Sequence, residues 1–431
     1  MTAALHELGV FAMADAVRNG RVRCVELVQA CLDRIAERDC EVHAWAWLDP
    51  KAALETAALR DRQGSSGALH GVPLAVKDIF DTADMPTECG SPIYRGRRPC
   101  WDASSVALAR RSGAVVLGKT VTTEFAYFSP GKTANPHNLL HTPGGSSSGS
   151  AAAVADAMVP AGFGTQTAAS ITRPASYCGV VGYKASVGAI NLAGVKTFAP
   201  SFDSLGWLSR SVLDAQWIRW ALLGEPHAAN NENSLGPPRV GVCHTPWWDQ
   251  ADADCQRVVD AAARRLARGG ALVSDATVPR GFERMAQTHK TIMAWEAARS
   301  LAYEYDAHHD LLSRQLLQLI DEGLATPYAE YRAALESLEV ARRQCDDWMK
   351  SWDVVLAPSA PGAAPAGLHA TGDPLFSRMW TLLGLPSVAL PLDDVALRLP
   401  IGVQLLGRLG QDEQLLAVAR WAESRFSAST H

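Results

Sequence analysis

The sequence lacks long runs of charge of one sign and long uninterrupted apolar stretches. Its 40 basic and 45 acidic residues leave a formal charge of -5, and neither sign is concentrated in one segment. Nucleic-acid partners are therefore not expected, because binding to phosphates requires a concentrated basic surface. The most uniformly apolar stretch, residues 151–164, is interrupted by Asp156 and Pro160. It is shorter than the ~20 residues that cross a bilayer, so no membrane association is expected.

Regularly spaced cysteines are also missing. The nine cysteines are odd in number and never form a Cys-x-x-Cys pair, which is typical of reduced thiols rather than of disulfides or a zinc site. The first residues carry no basic leader, and Glu7, Asp15 and Arg18 interrupt their apolar positions before an export signal could form. We therefore expect a cytoplasmic protein that uses no metal and no cofactor, and we also consider a homodimer.

The composition and the hydrophobic pattern indicate the fold class. Of the 431 residues, 48% are hydrophobic and 20% are charged, which is typical of a globular protein and excludes disordered, collagen-like and coiled-coil chains. Short apolar runs at 71–80 and 114–117 alternate with helical patterns such as 102–112, which predicts strands covered by helices, an α/β fold. We expect one domain over residues 1–431, comprising a helical arm at 1–60, a catalytic core segment at 61–223, a mainly helical cover at 281–350 and a return to the core at 351–431.

Three local patterns suggest other functions, but the structure expected around each pattern argues against that function. Residues 113–120 match the phosphate-loop pattern, but Ala-Val-Val-Leu at 114–117 favours a strand over a phosphate-binding loop. Residues 145–149 match the nucleophile elbow of α/β-hydrolases with Ser147 at its centre. However, the preceding residues end in Pro-Gly instead of an apolar strand. The adjacent residues 308–310, His-His-Asp, point to different faces of a helix and therefore do not predict a metal site.

A lysine in an apolar run and two loops rich in small residues remain as candidates for chemistry. Lys77 is predicted to be buried, and burial disfavours the ammonium form and lowers its pKa. Such a lysine can act as a base, and beside a serine hydroxyl it supports nucleophilic catalysis without histidine. The two loops contain 146–148 and Ser170. Purely structural explanations are an ion pair between Lys77 and Asp78, a serine N-cap and a tight turn.

Seven segments carry a family resemblance through their order and spacing. They are residues 71–78, 118–126, 135–138, 143–155, 164–170, 173–179 and 400–408. Together they resemble the amidase-signature family over nearly the whole chain. The resemblance implies a single large α/β/α domain, with a mixed β-sheet core covered by helices. It also implies an amidase that hydrolyses a small-molecule amide through an acyl-enzyme.

The same resemblance implies a role for individual residues. By it, Ser170 is the acyl-forming nucleophile, Ser146 is the bridging serine preceded by a cis peptide, and Lys77 is the base. The proton of Ser170 would pass through Ser146 to neutral Lys77 and later return to the leaving amine. Backbone amides around the nucleophile would bind the oxyanion. This oxyanion hole would consist of Thr167, Ala168, Ala169 and Ser170.

One departure from the family pattern concerns the residues before the nucleophile. The family normally has two glycines there, whereas this sequence has Ala168 and Ala169. Alanine fits if φ is negative at both positions; otherwise the oxyanion hole is narrowed. The second outcome predicts a catalytically weak or silent binding homologue. An amidotransferase A-type subunit is a further alternative.

Two residues near the nucleophile are expected to bind substrate. Arg173 resembles an arginine of the malonamidase type, which lies three residues beyond the nucleophile and holds the carboxylate of the substrate. A planar guanidinium suits a carboxylate, which favours a small carboxylated amide. An ion pair between Arg173 and an acidic residue of the protein is an equally open interpretation. Gln166 is the second expected substrate-binding residue.

Overall fold

A mixed β-sheet of 11 strands organises the part of the chain that the computed structural model describes, residues 4–64, 66–224, 236–392 and 397–426. The strands are β1 (Trp45–Leu48), β2 (Pro73–Lys77), β3 (Val115–Thr120), β4 (Ala161–Gln166), β5 (Val181–Lys184), β6 (Ser204–Ser209), β7 (Arg239–Val242), β8 (Leu272–Asp275), β9 (Val354–Pro358), β10 (Ser387–Pro391) and β11 (Gly402–Leu406). Their order in the sheet is β1-β3-β2-β4-β6-β5-β10-β11-β9-β7-β8. The predicted α/β fold with a mixed sheet is confirmed.

Helices pack around this sheet, and its inner strands, among them β2, β3, β4, β5, β6, β9 and β11, are fully buried. They are α1 (Val10–Arg18), α2 (Cys24–Val42), α3 (Pro50–Gln63), α4 (Ser104–Arg111), α5 (Ser148–Ala155), α6 (Thr172–Cys178), α7 (Val212–Leu223), α8 (Ala253–Arg268), α9 (Met285–Ser300), α10 (Ala302–His308), α11 (Arg314–Ala325), α12 (Tyr328–Met349), α13 (Leu375–Leu382) and α14 (Asp412–Phe426). No helix in these described ranges combines the length and apolarity that crossing a bilayer requires.

The strand at 115–120 decides against the phosphate-loop interpretation. All six residues of β3 are buried, and they pair with β1 on one side and β2 on the other. Lys119 therefore lies inside the sheet and not in a loop. Its Nζ donates to the carbonyl of Phe80 and lies 3.2 Å from Asp78 Oδ1.

The N-terminal segment, expected as a helical arm over residues 1–60, contains one strand in addition to its helices. Besides α1, α2 and α3, it contributes β1, which pairs antiparallel with β3 at the edge of the sheet. The physical reason is visible in the short run Trp45–Leu48, where two tryptophans alternate with smaller apolar residues. The run is too short for the helical spacing that dominates the residues before it.

Two inner strands bring the candidate residues to the same edge of the sheet, namely the one formed by the carboxyl ends of β2 and β4. β2 runs parallel to β4, so Lys77 at the end of β2 and Gln166 at the end of β4 lie at the same edge. Helix α5 begins beside this edge and packs unusually close to its neighbours. A Cβ on Gly149 would lie 2.2 Å from the Ala44 carbonyl oxygen and 2.4 Å from the Val121 nitrogen. The small residues of α5 are thus required by close packing.

Candidate active site

Lys77 is fully buried and hydrogen-bonded to two hydroxyl groups. Its Nζ lies 2.7 Å from Ser146 Oγ and 3.1 Å from Thr165 Oγ1 on β4. Burial lowers the pKa of Lys77 to about 7, although the negative charge of Asp203 acts in the opposite direction. A large fraction of this amine is therefore neutral near neutral pH. The ion pair with Asp78 that offered a structural explanation is not formed, because Asp78 pairs with Lys119.

Ser146 lies where the loop 143–147 reaches the edge of the sheet. The peptide bond between Gly145 and Ser146 is cis, as the resemblance implied. Ser147, the centre of the elbow pattern, occupies the N-cap position of α5, and its hydroxyl lies 3.5 Å from the Thr165 carbonyl oxygen. Within the described chain a loop and not a strand leads into Ser147, so the elbow interpretation is not supported.

Ser170 lies in the turn between β4 and α6. Ser146 and Ser170 line one cavity. The Ser170 hydroxyl makes no hydrogen bond to any residue that the structure describes, and the amide of Ser147 donates to the Ser170 carbonyl at 3.3 Å. The structure thus brings Lys77, Ser146 and Ser170 together at one edge of the sheet.

The loop before Ser170 presents unpaired backbone amides. Among the described residues, no acceptor receives a hydrogen bond from the amides of Ala168, Ala169 or Ser170. Neither alanine has a positive φ. Alanine therefore fits at both positions without left-handed strain, which is the first of the two outcomes considered for this departure from the family pattern.

Gln166, expected to contact substrate, is instead turned into the protein and does not line the cavity. Its Oε1 accepts hydrogen bonds from the amides of Ile171 and Thr172 at 2.8 and 3.0 Å. Its Nε2 donates to Thr381 Oγ1 at 2.9 Å, and Thr381 in turn donates to the Ala168 carbonyl at 2.7 Å. Buried polar groups need such partners, so Gln166 fixes the shape of the loop 167–171.

Thr167 anchors the other end of this loop through two buried ionisable residues. Its hydroxyl donates to Asp203 Oδ1 at 2.6 Å, and its carbonyl accepts from His289 Nε2 at 2.8 Å. Burial raises the pKa of Asp203 to about 6. Burial, helped by the charge of Arg378, lowers the pKa of His289 to about 3, so this imidazole is neutral. Nε2 carries its proton, since a carbonyl can only accept.

Two buried guanidinium groups, those of Arg173 and Arg378, line the cavity. Neither forms an ion pair with a carboxylate of the described residues. The protein ion pair considered for Arg173 is therefore absent from this part of the chain. Burial lowers the pKa of Arg173 to about 10, and burial also lowers the pKa of Arg378. The negative charge of the exposed Asp373 opposes this lowering of the pKa at both arginines, and its carboxylate accepts from the Leu375 amide at 2.9 Å.

The remaining walls of the cavity are mostly apolar. Met293 and Phe198 contribute side chains from α9 and from the segment before β6. The Tyr127 ring stacks on Phe198 with centroids 5.4 Å apart and meets Phe128 edge to face. No aspartate or glutamate is among the described lining residues. The cavity thus combines two cations, two serines and an aromatic wall.

Comparisons with known proteins show what this chain is similar to. A family model described as Amidase matches residues 26–416. The curated A subunit of glutamyl-tRNA(Gln) amidotransferase from Geobacter sp. (strain M21) is 31% identical, with 96% of each chain covered. The structure of 6-aminohexanoate cyclic dimer hydrolase complexed with substrate superposes with a TM-score of 0.88 at 25% identity, covering 98% of each chain. Native peptide amidase from Stenotrophomonas maltophilia superposes with a TM-score of 0.81 at 29% identity, covering 98% of this chain and 97% of its own.

Proposed function

Since this chain belongs to the amidase family and is an amide-hydrolysing enzyme, we propose that it cleaves a small carboxylate-bearing carboxamide through an acyl-enzyme on Ser170. The observation that carries the proposal is the contact of 2.7 Å between Lys77 Nζ and Ser146 Oγ, at a fully buried lysine with a lowered pKa. A neutral amine in this position can accept a proton, which an exposed lysine cannot do at neutral pH.

In the first half of the proposed reaction, Ser170 Oγ attacks the carbonyl carbon of the amide. Its proton passes to Ser146, whose own proton passes to Lys77 Nζ. The carbonyl oxygen becomes an oxyanion, and the unpaired amides of the loop 168–170 donate to it. Ser146 and Ser170 line the same cavity, and catalytic hydrogen bonds of this kind commonly tighten only in the complex with substrate.

In the second half, the tetrahedral intermediate breaks its carbon–nitrogen bond. The leaving nitrogen takes up a proton that returns from Lys77 through Ser146, which leaves an ester on Ser170 and a neutral amine at Lys77. Water then attacks the ester and gives its proton to the same relay, and the acid product leaves with Ser170 restored. The relay returns that proton to Ser170 Oγ as the ester breaks, so Lys77 is neutral again both after the acyl-enzyme has formed and after it has been hydrolysed.

The two arginines of the cavity support a negatively charged substrate. Cations that are buried without an acidic partner are unfavourable, and a bound carboxylate relieves this by charge-assisted hydrogen bonds. The apolar wall formed by Tyr127, Phe198 and Met293 suits an uncharged connection between that carboxylate and the amide. These features favour a small acidic amide over a neutral one.

An amidotransferase A-type subunit is the second candidate function, because curated relatives of that description are 30–32% identical to this chain. Their name implies an amide donor, of which free glutamine would be one. Glutamine carries an ammonium group beside its carboxylate, and the described cavity residues offer no carboxylate to pair with it. We therefore place this candidate second.

The test compares release of ammonia from three kinds of amide by the purified protein. We expect turnover of acidic amides such as malonamate and succinamate, much slower turnover of their neutral diamides, and little turnover of glutamine. The Ser170→Ala variant, prepared in parallel, corrects for contaminating amidases. Preferential hydrolysis of glutamine would favour the amidotransferase function, and failure on all amides would contradict the proposal.

The alanine pair before the nucleophile leads to a further prediction. Because Ala168 and Ala169 already have negative φ, the double change Ala168→Gly with Ala169→Gly is not expected to raise kcat. It should lower the free energy of unfolding by ~0.4–1 kcal/mol for each glycine, because glycine adds conformational entropy to the unfolded chain. Steady-state kinetics and urea denaturation of this variant measure both effects. A clear rise in kcat would show that the alanines narrow the oxyanion hole.

A further inference from the structure

We propose that Arg378 binds the carboxylate of the substrate, and that Arg173 instead holds the backbone beside Ser146. This inference rests on the proposed function, because it names the residue that selects the acidic amide. It also changes the role that the family resemblance suggests for Arg173. The two side chains share one cavity, but they differ in how many of their N–H groups are free.

Most N–H groups of the Arg173 guanidinium are already hydrogen-bonded or buried, so few can bind a ligand. Its Nη1 donates to the Gly372 carbonyl at 2.6 Å. Its Nη2 donates to the Gly145 carbonyl at 2.7 Å and to Thr371 Oγ1 at 3.0 Å, which uses both hydrogens of that nitrogen. A guanidinium binds a carboxylate bidentately along an edge that includes Nη2, either with Nη1 or with Nε. Neither edge of Arg173 therefore has two free donors.

The contacts of Arg173 indicate that it holds the backbone beside Ser146. The Gly145 carbonyl belongs to the residue directly before Ser146, and Thr371 and Gly372 belong to the segment that leads into α13. Arg173 therefore joins the loop of the bridging serine to the opposite wall of the cavity. Its Nε is fully buried and without a partner, so no ligand can reach it. Arg173 acts as a positioning residue for Ser146.

Arg378 shows the opposite pattern. Its guanidinium makes one hydrogen bond to a described residue, between Nη1 and His289 Nδ1 at the long distance of 3.5 Å. Nε and Nη2 have no partner in the described chain, so the edge that they form is free for a carboxylate. The side chain is 8% exposed and lines the cavity. A buried cation with a free bidentate edge is the geometry that an anionic ligand completes.

The surroundings of Arg378 connect it to the loop that precedes the nucleophile. Thr381, one helical turn further along α13, holds the Ala168 carbonyl at 2.7 Å. His289, the partner of Arg378, holds the Thr167 carbonyl at 2.8 Å. The carboxylate and the scissile carbonyl would therefore lie close together, separated by a short uncharged spacer. The substrate class is an ω-amide of a short dicarboxylic acid without an ammonium group.

The test measures selectivity in the full-length protein with succinamate and its neutral methyl ester. Arg378→Gln should lower the ratio of kcat/KM for succinamate over the ester by about 100-fold, mainly through KM, since hydrogen bonds to a charged group are lost. Arg378→Lys should restore part of the ratio, because it restores the charge. Arg173→Gln should lower kcat for both compounds and leave their ratio unchanged. Arg239→Gln is the control, because Arg239 is an exposed arginine on β7 that pairs with Asp353.

A binding measurement separates this inference from the proposed reaction. Calorimetric titration with succinate requires no turnover, so it reports the carboxylate site even if no amide is cleaved. We expect binding to the wild-type protein and to Ser170→Ala, and a loss of at least about tenfold in affinity in Arg378→Gln. Thermal melts verify that each variant is folded. If wild-type protein and Arg378→Gln bind succinate with equal affinity, or if only Arg173→Gln loses binding, then Arg173 and not Arg378 binds the carboxylate.

Discussion

Ser170→Ala is expected to abolish amide hydrolysis, with kcat reduced by about 10⁴-fold or more, while the fold stays intact. Removal of a nucleophile leaves only the contributions of binding and of the oxyanion hole. The change deletes one hydroxyl that has no hydrogen-bond partner among the described residues, so little stability is lost. Ammonia release and a thermal melt of the same preparation measure the two effects.

Ser147→Ala is the matched control for this prediction. Ser147 is buried beside Ser146, and its hydroxyl makes only a long contact of 3.5 Å with the Thr165 carbonyl. Its hydroxyl lies outside the cavity wall that Ser146 and Ser170 form. The Ser147 variant should retain most of its activity. If instead Ser147→Ala is inactive and Ser170→Ala is active, the nucleophile has been assigned to the wrong serine.

Lys77→Met should reduce kcat by about 10³-fold or more, because the relay then has no base. Lys77→Arg should also be inactive, since arginine remains protonated at any useful pH. The two substitutions separate proton transfer from charge: methionine removes both, whereas arginine keeps the charge alone. Rates measured from mildly acidic to mildly alkaline pH test this prediction. An active arginine variant would show that Lys77 only supplies positive charge.

The pH dependence of the wild-type enzyme follows from the same residue. The reaction needs neutral Lys77, so kcat/KM should rise with pH as the ammonium loses its proton. Because burial lowers the pKa of Lys77 to about 7, the midpoint of this rise should lie near that value and not near 10.5. A rate that falls with rising pH across this range would contradict the role of Lys77 as base.

Lys184→Met is the control for Lys77. Lys184 is equally buried, and burial also lowers its pKa to about 7. Its Nζ donates to the Ala185 carbonyl and to Ser204 Oγ, and it does not line the cavity. The Lys184 variant should keep the wild-type midpoint. A midpoint that moves with Lys184 and not with Lys77 would show that the titration belongs to another group.

The parts of the site that could be predicted from the sequence are those that leave a local pattern. Lys77 lies in a short apolar run that must be buried, and a lysine is unusual there. The loops around Ser146 and Ser170 are rich in small residues because backbones approach closely, as at Gly149. Such constraints act over a few neighbouring residues, so the sequence records them directly.

The residues that escape prediction depend on contacts between distant segments. Arg378 and Thr381 lie on α13, far along the chain from Ser170, and an arginine on a short helix usually indicates a solvated face. His289 and Asp203 reach Thr167 only because α9 and the segment before β6 pack beside β4. Gln166 is close to the nucleophile in sequence, but its Oε1 accepts hydrogen bonds from the amides of Ile171 and Thr172 and does not face the substrate cavity. Only the tertiary structure distinguishes these roles.

The most direct test of the central claim is mass spectrometry of the intact protein after reaction with a serine-reactive phosphonate, followed by peptide mapping. We predict a single adduct on Ser170, formed faster as the pH rises through the pKa of Lys77 at about 7, and absent from Ser170→Ala. Lys77→Met should form the same adduct much more slowly, because its nucleophile lacks a base. An adduct on Ser147, or amide turnover by an enzyme in which Ser170 is never modified, would contradict an acyl-enzyme on Ser170.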